Sequence, residues 1–162
     1  MTLVVLLGGA RSGKSTIALR LASESGAAVT YLATGEALDD EMAARISAHR
    51  AERPPEWTVV EEPLELAAAI GAVPAGETLV IDCLSLWVAN VLERGGSLEG
   101  AAAAAAARPG LTVAVSNEVG LGVVPATPLG RAYRDALGRV NQEWVEAWTR
   151  ASFVIAGREL AL

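Results

Sequence analysis

Residues 8–15 read GGARSGKS, which fits the spacing G-x-x-x-x-G-K-[ST] of a phosphate-binding P-loop, with Gly8, Gly13, Lys14 and Ser15 at the fixed positions. The apolar run MTLVVLL precedes it and the helically spaced run TIALRLASES comes after. A buried strand must therefore give way to a helix through one tight loop, the context the motif needs. Glycine at 8 and 13 lets backbone N–H groups turn inward onto phosphate oxygens. In such a loop Lys14 reaches the β/γ-phosphates and the Ser15 hydroxyl ligates Mg²⁺. Lys14 is also the only lysine among 13 basic residues. Arginine serves wherever a generic cation is needed, so lysine here answers a specific requirement.

The rest of the chain predicts an α/β domain over its 162 residues. After the first helix, Ala27–Ala33 reads as a strand and Leu38–Arg53 as a helix, acidic at its start (Asp39, Asp40, Glu41) and basic at its end. Pro54 and Pro55 stop that helix. A short strand at Trp57–Glu61 and a short helix at Leu64–Ile70 come next. Glu77–Asp82 and Leu111–Ser116 have the continuous apolar character of strands at the centre of a parallel sheet. Leu84–Leu92 and the alanine run Ala101–Ala107 read as helices, Leu129–Arg150 as a long helix and Ser152–Ala156 as a last strand. Strands alternating with helices predict a mostly parallel sheet.

Composition narrows the partners. A net charge of −6 with no Lys/Arg cluster argues against nucleic acid. The single cysteine, Cys83, excludes an internal disulfide and fits a cytoplasmic, reducing setting. No signal peptide is expected, because the first apolar stretch lacks a charged lead and runs straight into the P-loop. The apolar stretch Thr78–Leu92 is interrupted by Asp82 and Asn90 and is too short to span a membrane.

Three further groups carry candidate chemistry. Asp82 ends an apolar strand, where an acidic residue beside a P-loop holds Mg²⁺; it could instead cap the next helix. His49 is the only histidine, with Arg45 one turn before it and Arg50 and Arg53 after. Neighbouring cations disfavour a second positive charge on the ring, and a neutral ring is what a nucleophile needs. The arginines could receive a phosphate. A lone helical histidine is otherwise a surface or core filler. The segment Ser116–Pro125 places Asn117, Glu118, Gly120 and Gly122 where a polar substrate could bind, or where a strand simply turns into a helix. Arg131, Arg134, Asp135, Gly138, Asn141 and Gln142 form a polar stripe that an exposed helix face would also explain.

In order and approximate spacing, GGARSGKS, YLATGE (31–36), DDEMAARISAHRAERPPEW (39–57), IDCLSLWVAN (81–90), NEVGLGVVP (117–125) and RAYRDALGRVNQ (131–142) resemble the bifunctional adenosylcobinamide kinase/adenosylcobinamide-phosphate guanylyltransferases of cobalamin biosynthesis. The P-loop is shared with many NTPases, whereas the histidine helix ending in RPPEW and the NEVG–VVP loop are far more specific. The resemblance implies a RecA-like P-loop NTPase fold with helices on both faces of the sheet, and a homotrimer. It implies phosphorylation of adenosylcobinamide by GTP or ATP, then transfer of GMP from GTP through a guanylylated histidine, which falls on His49. The implied nucleotide contacts are Gly8, Gly9, Ala10, Arg11, Ser12, Gly13, Lys14 and Ser15 in the loop. Beyond it they are Ala33, Thr34 and Gly35, then Arg50, Ala51, Glu52 and Arg53, with Glu61 and Asp82. Ser15 and Asp82 are the implied Mg²⁺ ligands. The chain departs from the family in a short 95–110 segment and in lacking a terminal lysine. Two other readings suit the same residues: a P-loop kinase with a structural His49, giving ADP or GDP as its only nucleotide product, and a nucleotide-binding regulator that transfers to no acceptor.

Overall fold

The computed structural model describes residues 2–37, 39–51 and 53–162, with the side chain of Arg45 also outside the description. Seven strands form one sheet. They are β1 (Thr2–Gly8), β2 (Val29–Ala33), β3 (Thr58–Glu61), β4 (Thr78–Asp82), β5 (Leu111–Asn117), β6 (Arg150–Ile155) and β7 (Arg158–Ala161). Between them run α1 (Lys14–Ser23), α2 (Asp40–Ala51), α3 (Leu66–Ala72), α4 (Leu84–Arg94), α5 (Ala101–Ala107) and α6 (Pro128–Glu146). The strand order is β3-β2-β4-β5-β1-β6-β7. Every neighbouring pair is parallel except β6 with β7.

Period-two alternation splits the strands between two cores. Val4 and Leu6 of β1 join Ile17, Ala18 and Ala22 of α1 on one face. Leu3, Val5 and Leu7 join Leu66 of α3, Trp87 of α4, and Leu137 and Trp144 of α6 on the other. Because helices cover both faces, the central strands are apolar almost throughout, as their sequences predict.

α2 differs from the other helices. None of its described side chains is fully buried, and Met42, Ile46 and His49 form a half-buried stripe at i, i+4 and i+7. Asp39 caps its start, its Oδ1 accepting the Met42 N–H at 2.7 Å. The helix predicted over Leu38–Arg53 is thus found over Asp40–Ala51, with Leu38 outside the described residues.

The alanine helix α5 buries Ala101, Ala102 and Ala105 in the same core as Leu66 and Ile70 of α3. Side chains this small let the two helices approach closely. Just beyond α5, Arg108 is buried and its guanidinium reaches carbonyls at the end of α3. Nη1 donates to Ile70 O at 3.4 Å and Val73 O at 3.1 Å, and Nη2 to Glu77 O at 2.8 Å. A cation over carbonyls at a helix C-terminus is favourable on both charge and hydrogen-bond grounds.

Two boundaries correct the sequence reading. The last long helix ends at Glu146 rather than Arg150, and Arg150 opens β6 opposite Val4 of β1. No glycine or proline between them marks the stop. The strand β7 was not expected. It folds back on β6 through Ala156 and Gly157, both with positive φ (50° and 74°), a two-residue hairpin connection that also turns the sheet's last edge antiparallel.

Replacing Arg108 with Met should lower unfolding free energy by about 2–3 kcal/mol, since the α3 carbonyls lose their charged donor. A urea midpoint should fall, while the carboxyl ends of the strands stay as they are, because Arg108 binds the chain just before β4, away from them.

Candidate active site

The sheet's carboxyl edge is levelled by strand register. Glu61 of β3 lies opposite Ala33 of β2, Ala33 opposite Asp82 of β4, and Asp82 opposite Val115 of β5. Gly8 of β1 ends opposite Asn117 of β5 and Val154 of β6. Residues distant in sequence thus emerge along one rim, where an open parallel sheet binds ligands.

A cavity of about 450 Å³ opens on this rim. Its floor is the loop from Ala10 to Thr16. Tyr31, Ala33, Glu61, Asp82, Cys83, Val115 and Asn117 line it from the strand ends and the positions just beyond. Gly35 and Leu86 add an apolar patch, and Met42, Ile46, His49 and Arg50 of α2, with Arg53 beyond it, close the far wall.

The loop is tight where the motif demands it. A Cβ on Gly8 would lie 2.3 Å from Val154 O, and Gly13 has φ 99° with its would-be Cβ 3.2 Å from Gly157 Cα. The β6–β7 turn braces the loop directly, Gly157 N–H donating to Ser12 O at 2.8 Å. Lys14 is buried, and its ammonium donates to Gly8 O at 2.9 Å and Gly9 O at 2.6 Å. Burial holds its pKa below the ordinary lysine value, with Cys83 and Asp82 opposing that shift.

Asp82 does not cap α4. The cap position is Cys83, without a side-chain cap bond, and Asp82 faces the loop. Its Oδ2 accepts from the Ser15 hydroxyl at 3.2 Å and from the Tyr31 hydroxyl at 2.6 Å. A hydroxyl and a carboxylate side by side at a phosphate loop fit Mg²⁺, which takes few protein ligands and completes its shell with phosphate oxygens and water. Among the described residues no group of three or more His, Cys, Asp or Glu could hold a metal ion.

Not every candidate residue reaches the cavity. Gly8 and Gly9 turn their carbonyls to Lys14. Thr34 is wholly buried; its hydroxyl donates to Cys83 O at 2.7 Å and accepts from Cys83 N at 2.9 Å, so its side chain ties β2 to β4 rather than facing a ligand. Ala51 is exposed at the end of α2, and Glu52 lies outside the described residues. Arg50 pairs with Glu61 at 2.5 Å. Of the 117–125 segment, Asn117 lines the cavity, while the Glu118 carboxylate turns back onto Gly120 N–H. The α6 stripe is structural where its partners are seen. Asn141 is buried, accepting from Ser116 Oγ at 2.6 Å and donating to Asn117 O at 3.1 Å, and Arg131 holds Pro125 O and Ala126 O.

Tyr31 was missed by sequence reasoning. It shares a strand face with Ala33 two residues on, and a phenol buried in a sheet must find a hydrogen-bond partner. Those two facts point to the same rim. Its pKa is pushed far up by burial and then by Asp82, so the hydroxyl keeps its proton and donates.

A strand–loop–helix phosphate cradle at the carboxyl edge of a parallel sheet defines a P-loop NTPase-like α/β domain. The chain belongs to the cobinamide kinase / cobinamide phosphate guanyltransferase family, whose pattern matches residues 4–162. It is 46% identical to the bifunctional adenosylcobalamin biosynthesis protein CobP of Pseudomonas aeruginosa over 165 residues, covering 98% of this chain and 95% of that protein. It is 37% identical to the bifunctional adenosylcobalamin biosynthesis protein CobU of Escherichia coli K12 and 36% identical to CobU of Salmonella typhimurium, each over 175 residues and 96% of both chains.

Cys83 yields a pH prediction. Burial, then Asp82, pushes its thiol from 9.0 up to about 11. The fold therefore favours the protonated thiol; this contribution is intact below pH 9.0 and fades as pH climbs towards about 11. Urea midpoints should fall over that window, and less steeply in Cys83→Ala.

Proposed function

We propose that the protein phosphorylates adenosylcobinamide with GTP or ATP and then transfers GMP from GTP to the product, through a guanylyl group carried on His49. The observation that carries this reading is the shared cavity: the P-loop forms its floor, and the helix bearing the only histidine forms its wall.

In the kinase step Lys14 exchanges a loop carbonyl for a β/γ-phosphate oxygen, and loop N–H groups hold the chain of phosphates. The aminopropanol hydroxyl of adenosylcobinamide attacks the γ-phosphorus, the bond from that phosphorus to the β–γ bridging oxygen breaks, the nucleoside diphosphate leaves, and the hydroxyl proton passes to solvent. In the second reaction a His49 ring nitrogen attacks the α-phosphorus of GTP. An N–P bond forms, the α–β bridging bond breaks, and pyrophosphate departs. The phosphate of adenosylcobinamide phosphate then attacks that phosphorus, the N–P bond breaks, and adenosylcobinamide-GDP forms. Splitting one displacement in two is what a carrier nucleophile contributes. Arg50 and Arg53 supply positive charge beside the ring. Ser15 and Asp82 would hold Mg²⁺, which when bound neutralises charge on the phosphates.

The assembly is proposed as a homotrimer. The 119–129 segment exposes Leu121 (81%), Val123 (94%), Val124 (60%) and Leu129 (57%), an apolar group that a second copy would cover. No helix among the described residues is long and apolar enough to cross a membrane, and we place the enzyme in the cytoplasm.

Light scattering should give three times the 16.7 kDa chain mass. Val123→Asp should shift that mass downward, and a stable wild-type monomer would overturn the trimer.

Incubation with α-labelled GTP should leave label on the protein, and γ-labelled GTP should not by this route. Mild acid should strip the label, because a phosphorus–nitrogen bond to imidazole is acid-labile. His49→Ala should lose labelling and GMP transfer yet still phosphorylate adenosylcobinamide; Lys14→Ala should lose both reactions. Label persisting on His49→Ala would overturn the carrier assignment and leave the kinase without a covalent step.

A further inference from the structure

Asp82 receives both its donors on one oxygen. Ser15 at 3.2 Å and Tyr31 at 2.6 Å converge on Oδ2, leaving Oδ1 as the oxygen they do not use. A carboxylate pinned at one oxygen has its other oxygen fixed in direction. Of the two donors, Ser15 lies on the loop, gives the longer bond, and is itself a metal ligand in the proposed reading, its O–H donating to Asp82 while an oxygen lone pair is left for the metal. Tyr31 is buried in the strand, donates the shorter bond, and lies in the sheet rather than on the loop.

The same ring has a second neighbour. The Arg53 guanidinium carbon sits 3.7 Å from the Tyr31 ring centroid, a cation–π stack. Arg53 lines the cavity, and its Nε is buried with no hydrogen-bond partner among the described residues. The guanidinium is thus held by stacking on the tyrosine face. A guanidinium carried over an aromatic face keeps N–H groups available for a phosphate.

We propose that Tyr31 is a positioning residue with two separable tasks, its hydroxyl orienting Asp82 towards the metal and its ring holding Arg53 for the nucleotide. This rests on the reading of the cavity as a Mg²⁺-nucleotide site. Tyr31 acts through Asp82 and Arg53. It sets the two charges of opposite sign that flank the phosphates, so the hydroxyl governs the metal and the ring governs the cation.

Isothermal titration with α,β-methylene-GTP, whose α–β bond cannot be cleaved, separates the tasks. Affinity is measured in EDTA and in saturating Mg²⁺, without cobinamide, and the ratio of the two is the metal-dependent gain. Tyr31→Phe keeps the ring and loses the hydroxyl. Its affinity in EDTA should equal wild type, and its Mg²⁺ gain should fall about tenfold, the usual effect of removing a group that orients a metal ligand. Tyr31→Leu loses both, so affinity in EDTA should also fall, by about tenfold for one charged contact. Arg53→Met should reproduce that EDTA loss and keep the wild-type Mg²⁺ gain, which holds the ring assignment open to refutation even where Tyr31→Leu does not fold. A tyrosine that merely fills the core would move both affinities together or neither. A Mg²⁺ gain unchanged in Tyr31→Phe would overturn the inference alone. A wild type indifferent to Mg²⁺ would overturn the metal assignment and this inference with it.

Discussion

Strands covered by helices on both faces leave polar side chains one way out, the strand ends. That constraint organises the molecule. Asp82, Asn117 and the P-loop all emerge where β4, β5 and β1 run out of apolar cover, and parallel pairing brings those ends to one rim. The site needs no special architecture beyond this. Largely apolar strands, with Asp82 and Asn117 at the carboxyl ends of β4 and β5 and the P-loop following β1, suffice to gather the chemistry.

Much of this was legible in the sequence because the signals were local. The P-loop segment between strand and helix and the apolar strands reaching Asp82 and Ser116 each lie within a few residues and are found where they were expected; the histidine helix is found too, ending at Ala51. Less legible were features set by distant partners. The end of α6 at Glu146 is imposed by pairing of Arg150 with β1, which no residue near Glu146 announces. The strand β7 exists because β6 offers it an edge. Thr34 sits inside a motif that looks like a ligand contact, yet its hydroxyl is consumed by the Cys83 backbone. Tyr31 presented the opposite difficulty, a residue that reads as core and carries a polar tip to the rim.

The wall of the cavity is built differently from its floor. The loop is locked by backbone contacts that admit no side chain at Gly8, whereas α2 contributes half-buried residues and buries no described side chain completely. Low burial means low local stability and readier movement. A proposed carrier histidine must address a nucleotide and then a bulky acceptor, and a lightly held helix suits two successive geometries better than a rigid one would.

The brace between Gly157 and Ser12 joins residues from opposite ends of the chain. A ribosome delivers the loop early and its brace late. During synthesis the segment Gly8–Ser15 is therefore present without the hairpin turn that fixes its shape, and the central strand waits for β6 on one side. The shape of the loop is in this way tied to completion of the sheet: a chain stalled before the β6–β7 hairpin carries every residue of the P-loop motif and lacks the contact that holds the loop in form.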